Sequence, residues 1–325
     1  MTGQTDFEER LRQQIDAYHE AALVYAAVRL GLPDRLAEKP VTAEELASAL
    51  ELSGPHFRRF LRGLCSISIC EERPDGAFAL TAAGQSLRQG APARLAEKVQ
   101  IVVGQYWWPW SNFISSLRGG KPAFEQCFGM PVADWRAKHA EQGALFDSYL
   151  AKETGAQMSA IVAALDLSNV QTVAVLMTQP QFAGAYDKKR MVELSEPFRR
   201  LLDVAKRVEF VPGNLVEGIA AKADLYMLIG VLQNYIDKDA ARILRNCRLA
   251  MPEGARLVLI ERPLPERPED DPAATMLDLH MMTITGGRLR SPAEIETLLA
   301  AVGLRPTKAT PTPSGLTLIE AARSC

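Results

Sequence analysis

From residue 156 onward the sequence alternates short apolar runs with helical stretches, and few folds accept that rhythm. The spacing predicts strands at 172–177, 190–194, 207–211, 223–229 and 255–261, with a terminal hairpin of 305–310 and 316–321. Helices are expected at 156–165, 197–205, 239–250 and 291–302. Runs such as Leu225–Leu232 show no polar alternation, so these strands are expected to be buried on both faces of a parallel sheet. The fold class is therefore α/β, with the last hairpin adding an antiparallel edge. In such sheets a ligand sits beyond the carboxyl ends of the strands, where the strand order reverses.

The amino-terminal part reads differently. Residues 7–31 carry a 3.6-residue apolar period through Leu11, Ile15, Tyr18, Leu23 and Leu30, and stop at Gly31-Leu32-Pro33. Thr42 and Glu45 form a capping box, and Ser53-Gly54-Pro55 opens a third helix with Phe57, Phe60, Leu61 and Leu64 on its apolar side. Ile67–Cys70, a turn at Pro74-Asp75-Gly76, and Ala77–Leu80 predict a hairpin. Helix, helix and hairpin describe a winged helix. Its reading residues on DNA would be His56, Arg58, Arg59 and Arg62. Residues 42–90, however, hold five Arg, no Lys and six acids, which is no basic footprint. A packing or dimerisation module is the better reading.

Between these parts lies an aromatic-rich stretch that contains all four tryptophans, Trp107, Trp108, Trp110 and Trp135. Core packing accounts for most of its rings, but two or more could line a flat apolar pocket. Trp107, Trp110, Phe124, Phe128, Met130 and Phe146 are the candidates, with Met281 from further along. The expected organisation is a dimerisation domain over 1–98, connecting helices over 99–155 and the α/β domain over 156–325.

Charge narrows the partners. With 37 basic and 39 acidic residues, the net charge of −2 offers no field to gather nucleic acid or an anionic membrane. No apolar run approaches the ~20 residues of a membrane helix, and the first residues lack the pattern of a signal peptide. Five widely spaced cysteines without a Cys-x-x-Cys motif argue against a zinc site or a disulfide framework. A cytoplasmic protein with reduced thiols and no metal is expected.

The order of elements, together with Phe57–Arg62, Phe78–Gly84, Gly120–Glu125, Phe128–Pro131, Ile243–Arg248, Met251–Gly254, Leu257–Glu261, Asp278–Met282 and Thr285–Arg288, resembles the small-molecule O-methyltransferases over residues 7–325. That resemblance implies a Rossmann-like domain binding S-adenosylmethionine, a winged-helix dimerisation domain, a homodimer and a planar aromatic substrate. It places the cofactor near Met177 and Gln179 after the first strand, Glu193 after the second and Asn214 after the third. It places the catalytic groups at Gln233, Asn234 and Tyr235 after the fourth strand, and His280 beside the substrate as a general base or an orienting donor.

The residues depart from the family's pattern at these positions. No glycine occurs between Gly155 and Gly184, where the family has a Gly-rich turn that lets the backbone approach the cofactor closely. Only 14 residues, 178–191, separate Met177 from Val192, which is short for a crossover helix. Gln233 stands where the family carries a histidine base, and an amide takes no proton at neutral pH. The expectation is therefore an O-methyltransferase-like enzyme of secondary metabolism, acting without ordinary S-adenosylmethionine use, by rearrangement, cyclisation or group transfer. A working O- or N-methyltransferase with an unusual cofactor loop and a non-catalytic dimer partner are the alternatives.

Overall fold

The computed structural model of the chain describes residues 2–167, 170–177, 208–212 and 214–324. It divides into two compact units, Met1–Trp107 and Trp108–Cys325.

In the first unit, α1 (Thr2–Arg29), α2 (Leu32–Glu38), α3 (Ala43–Ala49) and α4 (Gly54–Ser66) precede a small sheet. Gly31, at φ 65°, lets the chain leave α1 and enter α2 through Pro33. The capping box forms at α3: Glu45 N–H donates to Thr42 Oγ1 at 3.2 Å, and Thr42 N–H donates to Glu45 Oε2 at 3.1 Å. The sheet joins β1 (Val41–Thr42), β2 (Cys70–Glu72) and β3 (Ala77–Leu80) in the order β1-β3-β2. The hairpin's first arm starts at Cys70 rather than Ile67, because Ser68 at φ 61° reverses the chain at the end of α4. Leu32, Leu61, Leu64 and Phe78 are buried in its core. Arg58 pairs with Glu72 at 2.6 Å, and Arg62 lies 3.5 Å from the same carboxylate. Two of the arginines that would read DNA thus share one acid within the unit. After α5 (Ala82–Gln85) and α6 (Leu95–Ile101), a π-helical turn, Val102–Tyr106, leads to Trp107. Phe7, Leu11, Ile15 and Tyr18 of α1 are exposed in the single chain.

The second unit begins within α7 (Trp107–Ser111), followed by α8 (Phe113–Leu117), α9 (Ala123–Phe128), α10 (Val132–Lys138) and α11 (Ala140–Ala164). The helix expected at 156–165 is the last part of the longer α11, which runs through Gly143 and Gly155 without a break. A six-stranded sheet follows, built from β4 (Val173–Met177), β5 (Val208–Pro212), β6 (Leu225–Ile229), β7 (Arg256–Glu261), β8 (Leu304–Pro311) and β9 (Thr317–Arg323). Its order is β5-β4-β6-β7-β9-β8. The pairs from β5 to β7 are parallel, and β9 runs antiparallel to β7 and β8. The expected strand 190–194 and helix 197–205 lie outside the described residues.

Alternate residues of the central strands sort to two faces, as the pleat requires. Ala174, Leu176, Tyr226, Leu228, Leu257 and Leu259 join a core beneath α12 (Asp237–Ala250) and α14 (Pro292–Ala301). Val173, Val175, Leu225, Met227, Val258 and Ile260 join a second core on the α11 side. Both faces are covered, which explains the unbroken apolar runs. Between β7 and α14 lies α13 (Pro272–Ile284), which packs against α8, α9 and the 3-10 turn after β6.

Candidate active site

The parallel strands β4 and β6 pair from Val173↔Leu225 to Leu176↔Leu228, so their carboxyl ends come together. At the end of β6, Gly230 turns the chain at φ 59°, a conformation that L side chains rarely adopt. A Cβ at Gly230 would lie 3.3 Å from Gln233 Nε2, so the Gln233 amide folds back across the turn. The 3-10 turn Leu232–Asn234 then presents Gln233, Asn234 and Tyr235 in sequence. Asn234 Nδ2 donates back to Gly230 O at 2.8 Å, and Tyr235 packs against the sheet core.

Two buried charges clamp this loop by its backbone. Glu261, the last residue of β7, accepts a hydrogen bond of 2.9 Å from Leu232 N–H, and the N–H groups of Val231 and Gln233 act on the same carboxyl group. Burial pushes its pKa up to about 7, opposed by these donors and by Arg290. Arg290, 3% exposed, donates to Leu232 O at 2.8 Å, to Tyr235 O at 2.7 Å and to Asp237 Oδ1 at 2.9 Å. Gly287 closes the third side: a Cβ there would sit 2.2 Å from Gln233 O and 2.4 Å from the carbonyl carbon of Asn234. Sequence reasoning missed Glu261, Arg290 and Gly287 as supports of the loop. The available signal was an acid ending an otherwise apolar strand.

His280, on α13, meets the aromatic helices. Trp110 Nε1 donates to His280 Nδ1 at 3.2 Å, and the two ring planes lie within 21° of each other with 6.2 Å between centroids. Trp110 also stacks on Phe113 at 11° and 5.3 Å. Because Nδ1 accepts, the neutral ring carries its proton on Nε2; this tautomer is assigned from the hydrogen bond. Burial, reinforced by the positive charge of Arg136, lowers the His280 pKa to about 4. Of the two roles expected for His280, these facts favour the orienting donor over the general base.

The remaining candidates separate. Phe124 is fully buried among Phe128 and Trp135 and belongs to the core, and Phe128 packs edge-on against Trp108 as well. Met281 is buried with Ala274 and Leu289, again as core. Met130 is half-buried. Phe146 lies under the guanidinium of Arg136 and packs on the sheet-face core of Val173, Val175 and Met227. Trp107 falls in the first unit, edge-on to Tyr18 at 6.2 Å. Asn214 is exposed, and its amide is engaged locally: Val216 N–H donates to Oδ1 at 3.1 Å, and Nδ2 donates to Glu217 at 3.0 Å. Met177 ends β4, whereas Gln179 and Glu193 lie outside the described residues.

Residues 13–90 match the O-methyltransferase dimerisation domain, and residues 181–305 match the O-methyltransferase domain. The chain is 31% identical to the phenazine O-methyltransferase PhzM of Lysobacter antibioticus, over 98% of this chain and 97% of that protein. The chain belongs to the O-methyltransferase family. Among the family's solved structures, the mitomycin 7-O-methyltransferase MmcR covers 99% of both chains at a TM-score of 0.85 and 26% identity. NcsB1, an O-methyltransferase from neocarzinostatin biosynthesis solved with S-adenosylmethionine and 2-hydroxy-5-methyl naphthoic acid, matches at a TM-score of 0.77 and 25% identity. It covers 94% of this chain and 96% of its own. These O-methyltransferases are named for methyl transfer, and none supports the expected departure to rearrangement or cyclisation.

The described residues suit the family's cofactor at one point. The β4 and β6 ends lie side by side ahead of Gly230, where the backbone turns without a side chain and, among the described residues, the Gln233 amide is the group that comes near. Among the described residues, no helix is long and apolar enough to cross a membrane.

Proposed function

We propose that this O-methyltransferase family member methylates an oxygen or nitrogen of a planar aromatic small molecule in secondary metabolism, using S-adenosylmethionine and working as a homodimer. The carrying observation is the Gln233 loop, held on its N–H side by Glu261, on its carbonyl side by Arg290 and sterically by Gly287. Such a clamp holds a site's geometry, and orientation alone is worth several kcal/mol in a two-substrate displacement.

S-adenosylmethionine, when bound, supplies the electrophilic methyl group. The glycine turn at Gly230 would receive it, with Asn214, Met177, Gln179 and Glu193 as the further candidates to hold it. Gln233 donates or accepts a hydrogen bond but removes no proton. His280, with its proton on Nε2, orients an acceptor oxygen rather than deprotonating it. The nucleophile therefore arrives ready: an acidic phenol already ionised, or an amine or ring nitrogen with a free lone pair. Trp110 and Phe113 offer the flat apolar wall such a substrate needs. The relatives' aromatic acceptors, phenazine, mitomycin and naphthoic acid, support that substrate class.

Calorimetric titration of the full chain with S-adenosylmethionine tests the cofactor. Saturable binding at micromolar concentration, with one site per chain, is expected. No heat up to millimolar cofactor would contradict the proposal.

A further inference from the structure

We propose that Asp278 is a positioning residue: through residues 285–290 it fixes the helix that carries His280 against the loop that carries Gln233. The inference rests on the methyl-transfer reading above for what those two groups do, and adds the residue that sets where they stand.

Residues 285–290 form a strap between the two. The strap starts at the end of α13, where Gly286 N–H donates to Met281 O at 2.9 Å and Gly287 N–H donates to Thr285 Oγ1 at 3.1 Å. Further on, Leu289 N–H donates to Asp278 Oδ1 at 2.7 Å, across 11 positions of the chain. The Leu289 side chain is buried with Met281 and Ala274 of the same helix. The next residue, Arg290, holds the carbonyls of Leu232 and Tyr235. Gly287 lies against Gln233 O and the carbonyl carbon of Asn234. Asp278 thus grips the strap one residue before the guanidinium that grips the loop.

Helix geometry carries this bond to His280. Asp278 and Met281, three residues apart, share the face of α13 that meets the strap. His280 follows Asp278 by two residues, about 200° further around the axis, and meets Trp110. One helix therefore holds the strap on one side and the histidine on the other, and a roll about its axis displaces both. The turn at Gly286 continues the helix end and sets no roll. The Asp278 bond joins the body of α13 to the far end of the strap, and a charge-assisted bond of this kind is roughly twice as strong as a neutral one. His280 and the Gln233 loop are thereby placed by one set of contacts, although they lie on different elements.

Amide hydrogen exchange of the full chain, read by mass spectrometry, tests the coupling without ligand or turnover. Asp278→Ala is expected to speed exchange across residues 232–235 at least about tenfold, while β6 and β7 stay within about twofold. In nitrogen NMR the same variant is expected to turn the Nε2–H ring of His280 into a mixture of tautomers. Asp278→Asn keeps an acceptor oxygen and loses the charge. It should speed loop exchange about threefold, and it serves where Asp278→Ala fails to fold. A merely local bond would open Leu289 and Arg290 alone, and a loss of global stability would speed every strand equally; either result overturns the proposal. So does loop exchange unchanged in both variants, or an unmixed Nε2–H ring in Asp278→Ala. A chain that shows the coupling yet transfers no methyl group refutes the proposed function and leaves this inference standing. One that transfers methyl groups, with loop exchange untouched by Asp278→Ala, does the reverse.

Discussion

Trp110 Nε1 donates a 3.2 Å hydrogen bond to Nδ1 of His280. This contact joins residues 170 positions apart and decides which histidine nitrogen carries the proton. In the wild-type chain, nitrogen NMR should find His280 as the Nε2–H tautomer throughout pH 6–8. Trp110→Phe removes the donor and should give a mixture of tautomers. An Nδ1–H ring in the wild-type chain would contradict the assignment.

Glu261 supports the Gln233 loop from beneath, and its loss leaves buried N–H groups unsatisfied. Glu261→Ala should lower unfolding free energy by about 2–4 kcal/mol in denaturant titration. The pH dependence carries a sign. The folded pKa, about 7, lies above the ordinary 4.5, so the folded state holds the proton more tightly. This contribution is full below pH 4.5 and is lost as pH rises through 7. His280 has the opposite sign: its folded pKa, about 4, lies below 6.5, so its contribution is full above pH 6.5 and lost as pH falls through 4. Glu261→Gln removes only the first slope. The melting temperature of wild type minus that of Glu261→Gln should therefore fall between pH 5 and pH 7. A flat or rising difference would show that Glu261 is not titrating as described.

Gly287 is needed for room rather than for backbone angle. A methyl group there would sit 2.2 Å from the Gln233 carbonyl oxygen and would force the loop to move. Gly287→Ala should reduce kcat/KM by about 10²-fold, since misplacement of about 1 Å has that effect. Wild-type kinetics in this variant would show that loop position does not matter to the reaction.

The exposed apolar residues of α1 suit a second copy of the chain. Light scattering should give a dimer for the wild type and a monomer for a Leu11→Glu, Ile15→Asp double variant. A wild-type monomer at micromolar concentration would contradict the proposed assembly.

The sequence made the sheet legible because each central strand is apolar on both faces. Strands read as 223–229 and 255–261 appear as Leu225–Ile229 and Arg256–Glu261. The capping box at Thr42 and the stop at Gly31 were equally local signals. The site was less legible, since its decisive contacts are long-range. Nothing near His280 in sequence announces Trp110. Nothing near Gln233 announces Arg290, three of whose hydrogen bonds reach back 53 to 58 positions. The aromatic cluster divided for a similar reason: Phe124 and Trp110 look alike in sequence, but one fills a core and the other holds a histidine.

Methyl transfer without a side-chain base at Gln233 is tested most directly by the pH profile of kcat/KM across acceptors of graded hydroxyl acidity. An inflection that follows the acceptor's own pKa and persists in Gln233→Ala and His280→Ala is expected. An inflection fixed at one pH for every acceptor, and abolished by either substitution, would contradict it.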